Sequence, residues 1–359
     1  MASDSIPLRS LPKTLPRVHL PMAPRSSRGF PFPGVLPAGW YALGLAADFP
    51  RGTVRALRRF GRELVAFRTE RGTVGVLAAH CPHMGAHLGG GTVDGECLRC
   101  PFHDFGYDVD GRCVSLGEGY HECVPTNLSS ESWPVRTVGG IVLTWFHPGG
   151  APPEWEVPDA EESGWRAPLS RAWQLRTHPQ ETGEGSVDVG HLRAVHRYVD
   201  AEHTARPLVD RHMLKAAYRV RRSMPVPFLG DTFDLDVSLT LHGLGYSLAD
   251  VRIPEFGLRF RLWVLSTPID GENVEYRIVM RLQEPLREHV RSATLRALLG
   301  HALERAIFPF LVRDVEYDFP IWESKVYLES PRLVRGDGPI HRYRKWATQF
   351  YVSSLELHK

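Results

Sequence analysis

The sequence predicts an α+β protein in two parts: an all-β N-terminal region, then a larger antiparallel sheet with helices packed against it. Three patterns carry that expectation. Short runs rich in Val, Leu and Phe, around Glu63–Arg68 and Thr73–Ala78, are punctuated by Gly and charged turns, as strands are. Further on, Leu258, Phe260, Leu262 and Val264 alternate with Arg259, Arg261 and Trp263, and Val274, Tyr276, Ile278, Met280 and Leu282 alternate again after "TPIDGEN". Two period-2 runs joined by a turn containing Asp270-Gly271 make a hairpin. Then the period changes: Leu295, Leu298, Leu299, Ala302, Leu303, Ala306 and Ile307 recur at helical spacing, with Pro309 expected to kink or end the helix.

In chain order, residues 1–36 are rich in Pro, Arg and Ser and read as a disordered extension, because such composition cannot offset ordering entropy by burial. Residues 37–150 form the β-rich unit, with "IVLTWFHP" (Ile141–Pro148) as its last strand. The Pro/Glu-rich stretch 148–164 reads as a boundary, and residues 151–359 form the second unit, in which Phe233, Leu235, Val237, Leu239 and Leu241 mark a further strand.

Composition narrows the function. Forty-three basic against 41 acidic residues give a formal charge of +2, so nucleic acid is not expected as a partner. No apolar run approaches the ~20 residues of a membrane span. All five cysteines (Cys81, Cys97, Cys100, Cys113, Cys123) fall in one short region. An odd, local set fits a cofactor site in a reducing cytoplasm better than a disulfide framework.

The stretch "CPHMGAHLGGGTVDGECLRCPFHDF" interleaves its donors: Cys81-x-His83, then Cys100-x-x-His103, with sixteen residues between. A structural zinc site more often pairs two cysteines and then two histidines. One Cys and one His per loop is the arrangement of a Rieske [2Fe–2S] centre, where two thiolates hold one iron and two imidazoles the other. Gly85, Gly89, Gly90 and Gly91 suit tight loops whose backbone N–H groups reach the sulfurs. His80 and His87 read as packing residues, and Cys97, Cys113 and Cys123 as incidental. "CPHMGAHL" and "CPFHDFGYDVDGRC" resemble the Rieske loops of ring-hydroxylating, Rieske-type oxygenases, with Phe105 where many members carry Trp.

That resemblance gives meaning to a second motif, Asp188-x-x-His191-x-x-x-x-His196, since the family carries its mononuclear iron on such a segment. Geometry alone explains it only partly: histidines five apart point about 140° from each other on an ideal helix, so convergence needs a local distortion. A 2-His-1-carboxylate site also needs an acid, and "RDVEYDFPIWESKVYLESP" offers Asp314, Glu316, Asp318 and Glu323. Similarity to the family's Asp-x-x-Ile-Trp block selects Asp318, with Asp314 next. By the same resemblance Asp188 bridges a cluster histidine of one subunit, His103, to His191 of the next. Gly185 stands where many members have Asn.

The resemblance runs from about Gly39 to Tyr351 and is strongest, through "IWESK", "DGPI" and "WATQFY", to the branch of 3-ketosteroid 9α-hydroxylases and cholesterol 7-desaturases. It implies a Rieske domain followed by a helix-grip (START-like) catalytic domain. It also implies a homotrimeric terminal oxygenase that uses O2 and receives NAD(P)H electrons through a flavin reductase, a ferredoxin or both. The substrate implied is a hydrophobic, steroid-like or polycyclic small molecule, hydroxylated or desaturated. Two other readings stay open from sequence: a tailoring oxygenase of natural-product biosynthesis, and a Rieske electron carrier fused to a lipid-binding module.

Overall fold

The computed structural model describes residues 36–121, 123–223, 231–284 and 292–352. The expected disorder of the N-terminal extension concerns residues that lie, apart from Leu36, outside those described. The N-terminal half holds three small antiparallel sheets. The first has the order β1 (Gly39–Leu45), β10 (Ile141–Phe146), β9 (Val135–Val138). The second is β2 (Thr53–Arg59), β3 (Arg62–Arg68) and β4 (Val74–Ala78). The third runs β5 (Thr92–Asp94), β6 (Cys97–Arg99), β7 (Gly106–Tyr107), β8 (Cys113–Ser115).

Strand alternation explains why β3 reads as an unbroken apolar run. Leu64 and Ala66 face one core, with Tyr41, Leu43 and Phe49. Val65 and Phe67, on the opposite face, enter the core built around Cys81 and Cys100. Strand β1 is shared in the same way. Tyr41 and Leu43 point into the N-terminal core, whereas Trp40 and Ala42 pack with Trp145, Tyr246, Trp263 and Leu265 across the seam between the halves. Each fully buried side chain of this size contributes roughly 1.5–3 kcal/mol. The seam is also bonded: Thr267 Oγ1 donates to the Ala42 carbonyl at 2.8 Å, and Arg59 reaches Glu275 at 2.6 Å. Gly245 sits where a Cβ would come 2.5 Å from the Trp40 carbonyl oxygen, so the close approach requires glycine.

The stretch read as a boundary is part of this seam. It carries no strand or helix from 147 to 168, yet Val157 is fully buried and the Trp155 carbonyl accepts the Trp40 indole N–H at 2.8 Å.

The second half is one seven-stranded antiparallel sheet. Its strands are β11 (Leu169–Leu175), β12 (Asp200–Asp210), β13 (Met213–Ser223), β14 (Thr232–His242), β15 (Tyr246–Ile253), β16 (Leu258–Pro268) and β17 (Val274–Leu282). They lie in the order β11-β17-β16-β15-β14-β13-β12, and the expected hairpin is β16–β17, registered from Phe260↔Leu282 to Pro268↔Val274. Two short helices, α1 (Pro179–Glu184) and α2 (Gly190–Ala194), lie between β11 and β12. After the sheet come α3 (Ala293–Glu316), α4 (Phe319–Ser324) and α5 (Ile340–Ala347).

Helix α3 corrects one expectation: Pro309 does not end it, since the helix continues to Glu316. Proline removes one backbone donor, the N–H that an ideal helix would offer to the Arg305 carbonyl, but packing holds both flanks: Leu303, Ile307, Phe308 and Leu311 rest on the core. Leu295 and Leu298, which share the helical period, are exposed. On α5, Ile340, Tyr343, Trp346 and Ala347 are buried at three- and four-residue spacing. Trp346 Nε1 and Gln349 Nε2 both donate to the Arg211 carbonyl, at 2.9 and 3.1 Å.

Candidate metal centres

The loop after β4 and the loop between β6 and β7 carry the four interleaved donors. Cys81 and Cys100 are almost fully buried and unbridged, and belong to one core with Leu88, Leu98, Phe105 and Tyr107. Burial, and then the neighbouring Cys81 thiol, push the Cys100 thiol up, against the amide N–H groups of Phe102 and His103 that point at its sulfur. Those amides favour a thiolate, as anticipated for loops folded over a cluster. Tyr107 Oη lies 3.1 Å from Cys81 Sγ and can donate to it.

The imidazoles of His83 and His103 sit edge to face, 4.8 Å between centroids, and Phe105 stacks on His83 at 4.5 Å. His103 Nδ1 is buried and has no hydrogen-bond partner. Two adjacent thiols beside two imidazoles, one with an orphaned ring nitrogen, fit a [2Fe–2S] group with mixed ligation. Gly117 backs the second loop at a point where a Cβ would lie 1.9 Å from the His103 carbonyl oxygen.

His80 and His87 lie outside this set. They face each other at 5.2 Å, and His87 Nδ1 accepts the Gly89 N–H at 3.0 Å, capping a single helical turn. Cys113 is buried and Cys123 exposed, while Cys97 lies between.

The second constellation forms where α2 meets the junction of α3 and α4. Ligand atoms of His191, His196 and Asp318 all lie within 4.8 Å of one another. Asp318 Oδ1 is 3.4 Å from His196 Nε2 and 4.0 Å from His191 Nε2. The departure from ideal helix geometry is visible: α2 ends at Ala194, so His196 lies beyond the helix end and the angle expected for histidines five apart on one helix does not apply.

Each ring turns its other nitrogen toward a protein oxygen. His191 Nδ1 donates to the Asp188 carbonyl at 2.5 Å, which leaves Nε2 free for a metal. Asp314 Oδ1 stands 3.5 Å from His196 Nδ1. Burial alone would lower the His196 pKa, but Asp314 and Asp318 outweigh it and hold it at about 9. A cation is thus stabilised where the three donors meet, and two neutral-capable imidazoles with a carboxylate suit iron in a 2-His-1-carboxylate site.

Asp188 itself is half-buried. Its Oδ1 accepts the Gly190 and His191 amide N–H groups at 2.9 and 3.3 Å. Burial would raise its pKa, but these bonds and His191 hold it below the usual carboxylate range.

Sequence reasoning missed two groups of neighbours. One is the aromatic wall beside Asp318: Phe319 contacts Trp173 and Tyr276 at 5.2 and 5.7 Å, and Trp322 contacts Tyr276 at 5.2 Å. The other is the set of partners around Asp314. Trp173 and Tyr276 are far apart in the sequence and lie opposite each other on adjacent strands, Trp173↔Tyr276, so only strand pairing brings them together.

Comparison with known proteins agrees with this arrangement. Residues 39–126 match the Rieske [2Fe-2S] domain, and residues 144–351 match the 3-ketosteroid 9α-hydroxylase C-terminal domain. Together they define an oxidoreductase of the Rieske non-haem iron class, using a [2Fe–2S] cluster and a mononuclear iron. The chain is 30% identical to cholesterol 7-desaturase 1 of Ciona intestinalis, over 92% of this chain and 72% of that protein. It is 29% identical to a probable 3-ketosteroid-9-alpha-monooxygenase oxygenase component of Rhodococcus rhodochrous, covering 89% and 81%. In fold it is similar to NdmA of Pseudomonas putida, with a TM-score of 0.64 at 17% identity over 86% of this chain and 88% of that one. Dicamba monooxygenase gives 0.61 at 18% identity over 87% and 96%. The chain belongs to the 3-ketosteroid 9α-hydroxylase family of Rieske oxygenases.

Proposed function

We propose that this chain is the terminal oxygenase of a multicomponent system that hydroxylates or desaturates a rigid, hydrophobic, steroid-like substrate. Cys81, His83, Cys100 and His103 hold the cluster; His191, His196 and Asp318 hold the mononuclear iron. The observation that carries the reading is the convergence of those last three side chains in a chain that also presents interleaved Cys/His loops. Bound there, the two groups supply electron storage and O2 activation for C–H oxidation.

The protein's own contribution is positioning. Three protein donors leave the remaining coordination positions for O2 and substrate. The rings of Phe319, Tyr276 and Trp322 form a dry wall beside Asp318, and Leu262, Val264, Phe308 and Leu311 add apolar surface between sheet and α3. Such a lining favours an uncharged polycyclic substrate. The steroid chemistry named for both relatives supports the same class. Electrons enter from an external NAD(P)H-dependent reductase, directly or through a ferredoxin, and the working assembly is a cytoplasmic homotrimer. Among the described residues no helix is long and apolar enough to cross a membrane.

The test is a panel of sterols, 3-ketosteroids and small aromatic acids, incubated with a surrogate reductase and NADH and read by mass spectrometry. A steroid gaining one oxygen or losing two hydrogens is the expected result. Conversion of the aromatic acids alone would overturn the substrate class.

Within a trimer, Asp188 is the link between His191 and the neighbouring subunit's cluster histidine. Its carboxylate already lies 3.7 Å from His191 Nδ1 through Oδ2, with Oδ1 held by backbone amides. A carboxylate that accepts from two ligand imidazoles orients both. Asp188→Ala is expected to keep the trimer and most of both metals, yet to lose product in single-turnover oxidation from a pre-reduced cluster. Wild-type product yield in that assay would reduce Asp188 to a helix cap.

A further inference from the structure

Behind His196 lies a buried group of charges that neither the motif nor the three-donor set uses. Asp314, one helical turn before Asp318, is 9% exposed, as is Asp318. Arg222, at the end of β13, grips it as a fork: Nη2 to Oδ1 at 3.1 Å and Nη1 to Oδ2 at 3.2 Å. Tyr198 Oη donates to Asp314 Oδ2 at 3.1 Å and accepts from Arg222 Nη1 at 3.0 Å. The guanidinium is sandwiched between the rings of Tyr198 and Phe310, at 4.2 and 4.3 Å. This leaves Asp314 Oδ1 facing His196 Nδ1 at 3.5 Å, and that nitrogen is buried with no other partner.

The two histidines are therefore supported differently. His191 Nδ1 bonds a backbone carbonyl and lies 3.7 Å from the Asp188 carboxylate, whereas His196 Nδ1 faces Asp314, an anion that Arg222 and Tyr198 clamp from two sides. A bidentate Arg–carboxylate pair is geometrically stiff, and cation–π contact on both faces stiffens the arginine. Resting on the iron-site reading above, we infer that Asp314, fixed by Arg222 and Tyr198, is a positioning residue: it faces His196 Nδ1, sets the ring plane, and so keeps Nε2 turned toward Asp318 and the metal position. An outer carboxylate on a ligand histidine typically changes metal affinity by about 10–100-fold.

The experiment uses cluster-loaded full-length protein stripped of mononuclear iron, with Co(II) as probe, in wild type, Asp314→Asn, Asp314→Ala and Asp318→Ala. Asp314→Asn, nearly isosteric, is expected to weaken Co(II) binding about tenfold, and Asp314→Ala by up to about a hundredfold. After Fe(II) reconstitution, the EPR signal of the nitric oxide adduct should change its rhombic splitting in both Asp314 variants while the cluster spectrum stays as in wild type. The cluster spectrum reports folding, and the Asn variant decides the matter if the Ala variant is too unstable to assay. Wild-type Co(II) affinity and an unchanged nitric oxide signal in Asp314→Asn would overturn the inference. Equal Co(II) binding by wild type and Asp318→Ala would instead overturn the iron-site reading beneath it.

Discussion

Replacing Cys100 or His83 by alanine is expected to give a protein without the visible Rieske spectrum and without NAD(P)H-driven turnover. In the proposed ligation each iron of the cluster has two protein donors, and the Cys/His loops offer no spare. Cys113, the other buried cysteine of that core, turns its sulfur to the Ser115 carbonyl at 3.4 Å. Neither can His80 or His87 substitute, because they engage each other and the turn at Gly89. The loss should be confined to one centre: iron analysis of either variant should still find about one mononuclear iron per chain, since His191, His196 and Asp318 come from the α2 segment and the α3–α4 junction and not from the two loops. Optical spectroscopy with metal counting makes the check, and a normal Rieske spectrum in either variant would sink the ligand assignment.

Asp318→Ala is expected to do the reverse, losing the mononuclear iron while keeping the cluster, with substrate oxidation falling below detection. Among the described residues, Asp318 is the carboxylate that lies near Nε2 of both histidines, at 3.4 and 4.0 Å. Removing a direct donor should cost more than the ~10–100-fold that follows loss of an outer partner. With Asp318 gone, Asp314 cannot take over, because its oxygens face the opposite nitrogen of His196 and are held by Arg222. Retention of one mononuclear iron per chain in this variant would remove Asp318 from the site.

How much of this was legible in the sequence differs between the two centres. Cluster donors sit in two short loops, and a loop's chemistry is written locally: Cys-x-His and Cys-x-x-His name the group almost without the fold. The mononuclear site depends on backbone that no periodicity reveals. Spacing placed His191 and His196 far apart in direction, and the helix end at Ala194 that frees His196 from that spacing is followed by Val195, with no glycine or proline to announce it. Choosing Asp318 over Asp314 came from resemblance. The structure separates the two by which imidazole nitrogen each faces, a distinction that needs coordinates.

Arg222 was beyond reach altogether, being 92 residues from Asp314 and one of many arginines in strands. Period-2 alternation identified β14, β16 and β17 because their two faces differ. Of the two outcomes expected at Pro309, the helix ending did not occur, for the converse reason: tertiary packing on both sides of the proline outweighed a local rule.

The division of cores has a practical consequence. The residues around Cys81 and Cys100, from Val65 to Cys113, share no member with the core that α3 and α5 close over the large sheet. An iron–sulfur chromophore would thus serve as a coloured thermometer for one half of the molecule only. Heating should bleach it on a schedule set by the small sheets, while loss of Co(II) from the His191, His196 and Asp318 position follows the other half. Any variant that moves one curve and leaves the other in place reveals, without further labelling, on which side of the seam its damage falls.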